Sequence, residues 1–141
     1  MKLDTPILKK LDRLGDEFMA NSLRYEVDRR DNIPAMFELG TVLTRLGRYR
    51  EGLEIDRRLV RLQPGQPVLR YNLACSLALV EMNDEAVEEL TKAIELGYDD
   101  VEHMLKDRDL ESLRHDERFE ELVRRLRDQE RTESELTEEN D

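Results

Sequence analysis

Residues 33–66 read IPAMFELGTVLTRLGRYREGLEIDRRLVRLQPGQ, and residues 67–100 read PVLRYNLACSLALVEMNDEAVEELTKAIELGYDD. Set one above the other, they pair Leu39 with Leu73, Gly40 with Ala74, Leu43 with Leu77, Leu46 with Val80, Leu53 with Val87, Val60 with Ile94 and Leu62 with Leu96, at a constant offset of 34. An internal period of this size marks an array of small units, each burying its apolar face against the next. Within the first unit Met36, Leu39, Gly40 and Leu43 fall at i, i+3, i+4 and i+7. Val87, Leu90, Ala93 and Ile94 keep helical spacing in the second. The pattern predicts two helices per unit.

The punctuation agrees. Gly47 lies between the two apolar runs of the first unit, where a residue free to take positive φ lets one helix end and an antiparallel one begin. Asn83 and Asp84 are expected to serve the second unit in the same way, as a left-handed residue followed by a helix cap. Pro64 and Pro67 stop the helix that ends near Leu62. Small residues at Gly40, Gly52, Ala74 and Ala86 fall where two helix backbones have to approach closely.

Composition sets outer limits on function. With 141 residues, 38% apolar and 40% charged, the chain can bury a thin core along amphipathic elements, and helices suit that ratio. The formal charge is −11, which repels phosphate backbones and anionic headgroups, so neither nucleic acid nor membrane is expected as a partner. A single cysteine, Cys75, permits no internal disulfide, and MKLDTPILKK places Asp4 and lysines where a signal peptide needs an apolar run. A cytoplasmic protein is the expectation. More than half of the excess negative charge falls in DQERTESELTEEND, residues 128–141, which reads as a frayed helix end or a disordered acidic tail.

The residues of the two units resemble the tetratricopeptide repeat family, whose 34-residue unit carries W-x2-L-G-x2-Y, then A-x3-F, then P. The first unit presents Met36, Leu39-Gly40, Leu43, Gly52, Asp56 and Pro64; the second presents Arg70, Leu73-Ala74, Leu77, Ala86, Leu90 and Tyr98. Departures fall at Met36 and Arg70, where the family has a large aromatic, and at Asp56, where it has an apolar residue. Residues 101–127, VEHMLKDRDLESLRHDERFEELVRRLR, look like the closing segment of some bacterial repeat groups. Asp107 or Asp109 would cap a short helix through Leu113, and Asp116 would cap a last helix whose stripe of Phe119, Leu122, Val123 and Leu126 covers the open end of the stack.

At the amino end Thr5-Pro6 reads as a cap with proline in the first turn, followed by Ile7, Leu8, Leu11 and Leu14. LDRLGDE at Leu11–Glu17 echoes LTRLGRY at Leu43–Tyr49, so Gly15 is expected to mark the same turn as Gly47, which makes residues 1–32 a degenerate first unit. The alternative is one helix from Pro6 to about Asp28, with Gly15 costing roughly 1 kcal/mol in its middle. The expected architecture is all-α, a short solenoid of antiparallel helix pairs: 1–32, 33–66 and 67–100 as units, 101–127 as closing helices and 128–141 as the tail.

Residues suited to chemistry are few. His103 and His115 are twelve apart, outside any H-E-x-x-H, and Asp107-Arg108-Asp109-Leu110-Glu111-Ser112 lacks the glycine and downstream glutamate of a calcium loop. No phosphate-binding P-loop or nucleophile elbow occurs, and Cys75 lies in the apolar run LRYNLACSLALV, where a packed residue is expected rather than a nucleophile. No enzyme activity, metal or cofactor is therefore expected, with a hydrolase or metal protein using His103, His115 and nearby aspartates as the contrary reading.

The resemblance implies a superhelix whose first helices line a concave groove that holds an extended or helical peptide. On this register the groove would be lined by Phe37, Thr41, Thr44 and Arg45 in the first unit, and by Tyr71, Asn72, Cys75, Ala78 and Leu79 in the second. Asn72 can both donate to and accept from a peptide backbone, and Arg45 can hold a carboxylate. Family members that clamp a chaperone's terminal carboxylate use lysine and asparagine in the first unit and bases in the third. Phe37, Thr41, Glu102 and Lys106 stand there, so no such clamp is expected. The expected function is that of a non-enzymatic adaptor or scaffold for a protein or peptide partner, the alternative being a small acidic chaperone that shields an apolar segment of a client. Ile7, Leu11, Leu14 and Phe18, spaced four, three and four apart, also suit a homodimer seam.

Overall fold

A computed structural model describes residues 4–140, and among these every regular element is helical. Seven α-helices run in chain order: α1 Thr5–Val27, α2 Ile33–Arg45, α3 Tyr49–Leu62, α4 Pro67–Leu79, α5 Asn83–Glu95, α6 Val101–Lys106 and α7 Glu117–Glu139, with a 3-10 helix at Arg108–Leu113 between the last two. Among the described residues no helix is long and apolar enough to cross a membrane. The chain divides into two compact units, one ending at Pro64 and the other beginning at Gly65.

In the first unit α2 packs against both α1 and α3. Asn32 caps α2 by accepting a hydrogen bond from the Ala35 amide at 3.1 Å, and Pro34 sits in the first turn, where a missing N–H costs nothing. Met36, Leu39 and Leu43 of α2 are fully buried, as is Leu59 of α3. The hairpin between them closes at Gly47, whose φ is +74°. There the Arg48 amide bonds back to the Leu43 carbonyl at 2.9 Å, satisfying one of the carbonyls a helix end leaves open. The helices approach most closely at two glycines: a Cβ on Gly40 would lie 2.9 Å from Asp56 Oδ1, and one on Gly52 3.7 Å from the Gly40 carbonyl oxygen. Asp56, the residue that departs from the expected apolar position, is buried beside Gly40 and uses the space a side chain would have filled.

In the second unit α4 and α5 form a hairpin, the 3-10 helix lies on α4, and α7 packs on α5 and α6. Pro67 opens α4. Leu77, Ala74, Ala86, Leu90, Met104, Leu110 and Leu113 are fully buried. The stripe on α7 is buried as expected, at Phe119, Leu122, Val123 and Leu126. Asp107 caps the 3-10 helix and Asp116 caps α7. Arg70 stands where the sequence pattern allows an aromatic, and its guanidinium is paired with Glu89 at 2.9 Å. Burial works against the charge on Glu89, but hydrogen bonds from Arg70 and Lys92 outweigh it and hold the carboxyl below its ordinary range.

Four details differ from the sequence expectation. Gly15 makes no turn, because α1 runs unbroken through it. Breaking the helix there would orphan backbone groups at two new ends, whereas continuing costs roughly 1 kcal/mol, and the Arg13–Glu17 pair at 3.4 Å spans the position. The cap of α1 is Asp4, which accepts from the Ile7 amide at 3.1 Å, so Thr5 is already helical. The left-handed residue of the second hairpin is Glu81, with φ 60°, not Asn83, which is the first residue of α5. Finally, the acidic tail, expected as a frayed helix end or a disordered appendage, continues α7 as an exposed helix as far as Glu139. The buried stripe has already nucleated that helix, so extending it fixes one residue per added bond, and the tail is rich in good helix formers.

A non-glycine residue at φ 60° carries a strain of roughly 1 kcal/mol. Glu81→Gly is expected to raise the unfolding free energy by about 0.5–1 kcal/mol, and Gly47→Val to lower it by about 1–2 kcal/mol, both in urea titrations. Gly40→Val should cost about 2–3 kcal/mol, because its side chain meets Asp56 and Ile55 in a packed interior.

Candidate functional site

Four of the residues expected to line a groove lie on α2. Phe37, Thr41, Thr44 and Arg45 recur at i, i+4, i+7 and i+8, which puts them on one side of the helix, away from Met36, Leu39 and Leu43. Phe37 is 38% exposed, enough for its ring to meet a ligand. The Thr41 hydroxyl donates to the Phe37 carbonyl at 3.1 Å and Thr44 to that of Gly40 at 3.0 Å; Thr41 is exposed, whereas Thr44 is half-buried with its hydroxyl 3.5 Å from the place a Cβ on Gly52 of α3 would take. Arg45 is already engaged. Its guanidinium forms a two-pronged pair with Asp16 of α1, Nε to Oδ2 at 3.2 Å and Nη2 to Oδ1 at 2.8 Å. Those hydrogen bonds hold the Asp16 carboxyl below its ordinary range.

The others lie on α4, where the outcome is split. Asn72 and Leu79 are half-buried and share a side of the helix. Tyr71 and Cys75 are 3% and 6% exposed and do not line an open surface, which corrects their assignment to the groove. What covers them is the segment after α5. The Tyr71 ring stacks on Tyr98, centroids 4.3 Å apart and planes 6° from parallel, with His103 of α6 tilted against it at 5.6 Å. The Tyr71 hydroxyl donates to Asp107 Oδ2 at 2.8 Å, and the Cys75 thiol donates to the same oxygen at 3.6 Å. His103 Nε2 lies 3.4 Å from that oxygen too, while Asp107 Oδ1 accepts from the Asp109 amide at 3.0 Å. Ala78, also read as groove-lining, is buried; its carbonyl accepts from the Ser112 hydroxyl at 3.1 Å.

Asp107 is therefore a hub that ties α4 to α6 and the 3-10 helix. Cys75, Asp107 and Asp109 bring ligand-capable atoms within 4.8 Å of one another, a grouping that could hold a cation. In the structure the two Asp107 oxygens are occupied by the tyrosine, the thiol and the cap amide. Burial, then the nearby carboxylates of Asp107 and Asp109, push the Cys75 thiol well up, so it stays protonated at neutral pH and is a poor nucleophile. Tyr71 is likewise pushed up by burial and by its anionic neighbours, and works as a donor. Asp109 is raised by burial and by Asp107, with His103 opposing. His103 thus belongs to this cluster, whereas His115 is exposed beyond the 3-10 helix.

Sequence reasoning misses the Tyr71–Asp107 bond and the Tyr71–Tyr98 stack. The D-x-D pattern signals a cap, but nothing in it says which side chain 36 residues earlier the carboxylate will meet.

No family model matches the chain. Over 117 residues, 81% of its length, it is 26% identical to a chloroplastic protein of Arabidopsis thaliana. It spans about a third of that protein, 35% of its length.

Tyr71→Phe should cost about 1.5–3 kcal/mol in chemical denaturation, because it takes a donor from a partly buried carboxylate. Asp109 gives a pH test. Its folded-state affinity for a proton is raised, so its contribution to stability is fully present below the unfolded pKa and is lost as pH rises through the folded one. Asp109→Asn is expected to raise the melting temperature at pH 7, and the gain should shrink as pH falls through the carboxylate range.

Proposed function

We propose that the chain is a protein-interaction module of the tetratricopeptide type, a scaffold that holds a peptide or helix of a partner and performs no chemistry. One observation carries the reading. Helices α2 and α4 begin at residues 33 and 67, α3 and α5 at 49 and 83, and the left-handed turn residues are Gly47 and Glu81, each pair 34 apart. Small buried residues at Gly40 and Ala74, and at Gly52 and Ala86, keep the same offset. Two hairpins that share length, turn position and close-approach points behave as copies of one unit, and such units commonly serve as binding surfaces.

The binding residues in this proposal are Phe37 and Thr41 on α2 of the first unit and, taken separately, Asn72 and Leu79 on α4 of the second. Phe37 supplies an aromatic face, with exposed Thr41 one turn along the helix. Asn72 can meet a peptide N–H and C=O together. Arg45 contributes less than its sequence position suggests, since a ligand carboxylate would have to displace Asp16. Each of these faces therefore suits an apolar or amphipathic segment more than a free carboxylate.

Comparative capture tests this. Immobilised full-length chain and a Phe37→Ala/Asn72→Ala/Leu79→Ala variant would be compared by quantitative mass spectrometry, with Tyr49→Ala as a control on α3. Proteins retained by the wild type and the control should fall at least about tenfold on the triple variant. Undiminished capture would remove these faces from the function.

A further inference from the structure

We propose that α1 is an association helix that pairs antiparallel with α1 of a second copy of this chain. Its two faces are opposite. Ala20 and Val27 are buried on the side toward α2, while Ile7, Leu11, Leu14 and Phe18 are 47%, 52%, 53% and 74% exposed on the other. The helix is also longer than its support: 23 residues span about 34 Å, against about 20 Å for the 13 residues of α2. Every residue from Asp4 to Gly15 is exposed. Three turns of helix without tertiary cover are marginal in water, so α1 gains from a partner along that stretch.

The seam specifies the occupant. Steps of four, three and four place the four apolar residues at alternating core positions of a two-helix seam. Running antiparallel about a twofold axis between Leu11 and Leu14, Leu11 meets the second copy's Leu14 and Ile7 meets the second copy's Phe18, so each layer is apolar and self-complementary. On one flank Lys10 then faces the second copy's Glu17, twice by symmetry. On the other flank Leu8 faces the second copy's Gly15. Among the described residues nothing lies within 4 Å of a Cβ on Gly15, so the fold of one copy gives no reason for a residue that weakens a helix interior. Close approach by the second copy's Leu8 supplies that reason. A parallel pair would set Lys10 beside Gly15 and Glu17 beside Ser22, with no charge or size complement.

The face is large enough. An aromatic side chain buries roughly 150–250 Å², so Phe18 offers on the order of 100–180 Å². With Ile7, Leu11, Leu14 and the flanking Leu8, each about half exposed, each copy offers roughly 500 Å² if all of it is covered, and the pair then reaches the ~1,000 Å² at which specific interfaces begin. Charge on residues 4–17 nearly cancels, four acids (Asp4, Asp12, Asp16 and Glu17) against three bases (Lys9, Lys10 and Arg13), which fits a like helix better than an anionic surface.

Sedimentation equilibrium on the full chain from about 1 to 200 μM is the test. A concentration-dependent dimer is expected, and Leu14→Glu/Phe18→Glu should be monomeric across the range with unchanged helical circular dichroism. Lys10→Glu should weaken association about tenfold, and Lys10→Glu/Glu17→Lys should restore it, since the swap recovers the pairs only in the antiparallel register. Gly15→Leu should weaken the dimer while leaving helicity the same or higher. A wild-type chain that stays monomeric to 200 μM overturns the proposal. So does a dimer that survives Leu14→Glu/Phe18→Glu, or one whose charge-reversed single variant is not rescued by the swap. Monomer that instead pairs with an apolar helix of another protein would assign the seam to that protein.

Discussion

Backbone comes nearly against backbone where α2 crosses α3, with the Gly40 carbonyl oxygen 3.7 Å from the place a Cβ on Gly52 would take. Helices that approach this closely exclude all but the smallest side chains at the crossing, and in return the larger residues a turn above and below interlock. Met36, Leu39, Leu43 and Leu59 are fully buried for that reason. In the α4–α5 hairpin Ala74 and Ala86, each 34 residues after one of those glycines, are fully buried. Because the crossing consumes one face of α2 and one of α4, the opposite faces are the ones left over for other work. On α2 that leaves Phe37 and Thr41 outside, and on α4 it leaves Asn72 and Leu79 part-covered.

What distinguishes the two hairpins is the segment that follows the second. Tyr98, α6 and the 3-10 helix close over α4, and the Asp107 carboxylate gathers the hydroxyl of Tyr71, the thiol of Cys75 and its own cap amide. A carboxylate with several donors in a partly buried setting resists rearrangement, since losing any one donor leaves charge less well solvated. That cluster therefore trades exposed surface for rigidity: residues equivalent to Phe37 and Thr41 become interior on α4. An apolar residue at the same register position can be surface in one hairpin and core in the next, according to what the chain does afterwards.

This is also where the limit of the sequence lies. The 34-residue offset, the helical spacing, the turn at Gly47, the closing stripe on α7 and the caps at Asp107 and Asp116 are legible, because each is written in residues close together along the chain. Asparagine favours the left-handed conformation and so draws attention to Asn83, although the offset from Gly47 points to Glu81, where packing holds a glutamate at φ 60°. Gly15 misleads for a parallel reason: a glycine signals freedom, and only the rest of the helix decides whether the freedom is used. Tyr71 and Cys75 are illegible as interior residues, since the covering group comes from residues 98–107 and no local pattern announces that meeting.

The same reasoning separates the two surfaces of the first unit. Phe37 sits on a helix held from both sides, by α1 and α3, so its surroundings are ordered within one copy and do not depend on anything that covers the ring. The outer face of α1 is different in kind. Its first turns are held by chain connectivity and the Asp4 cap, with Arg45–Asp16 as the first tie to α2. Whatever covers those turns also stabilises the helix itself, so association and local order are linked there, whereas on α2 they are separate.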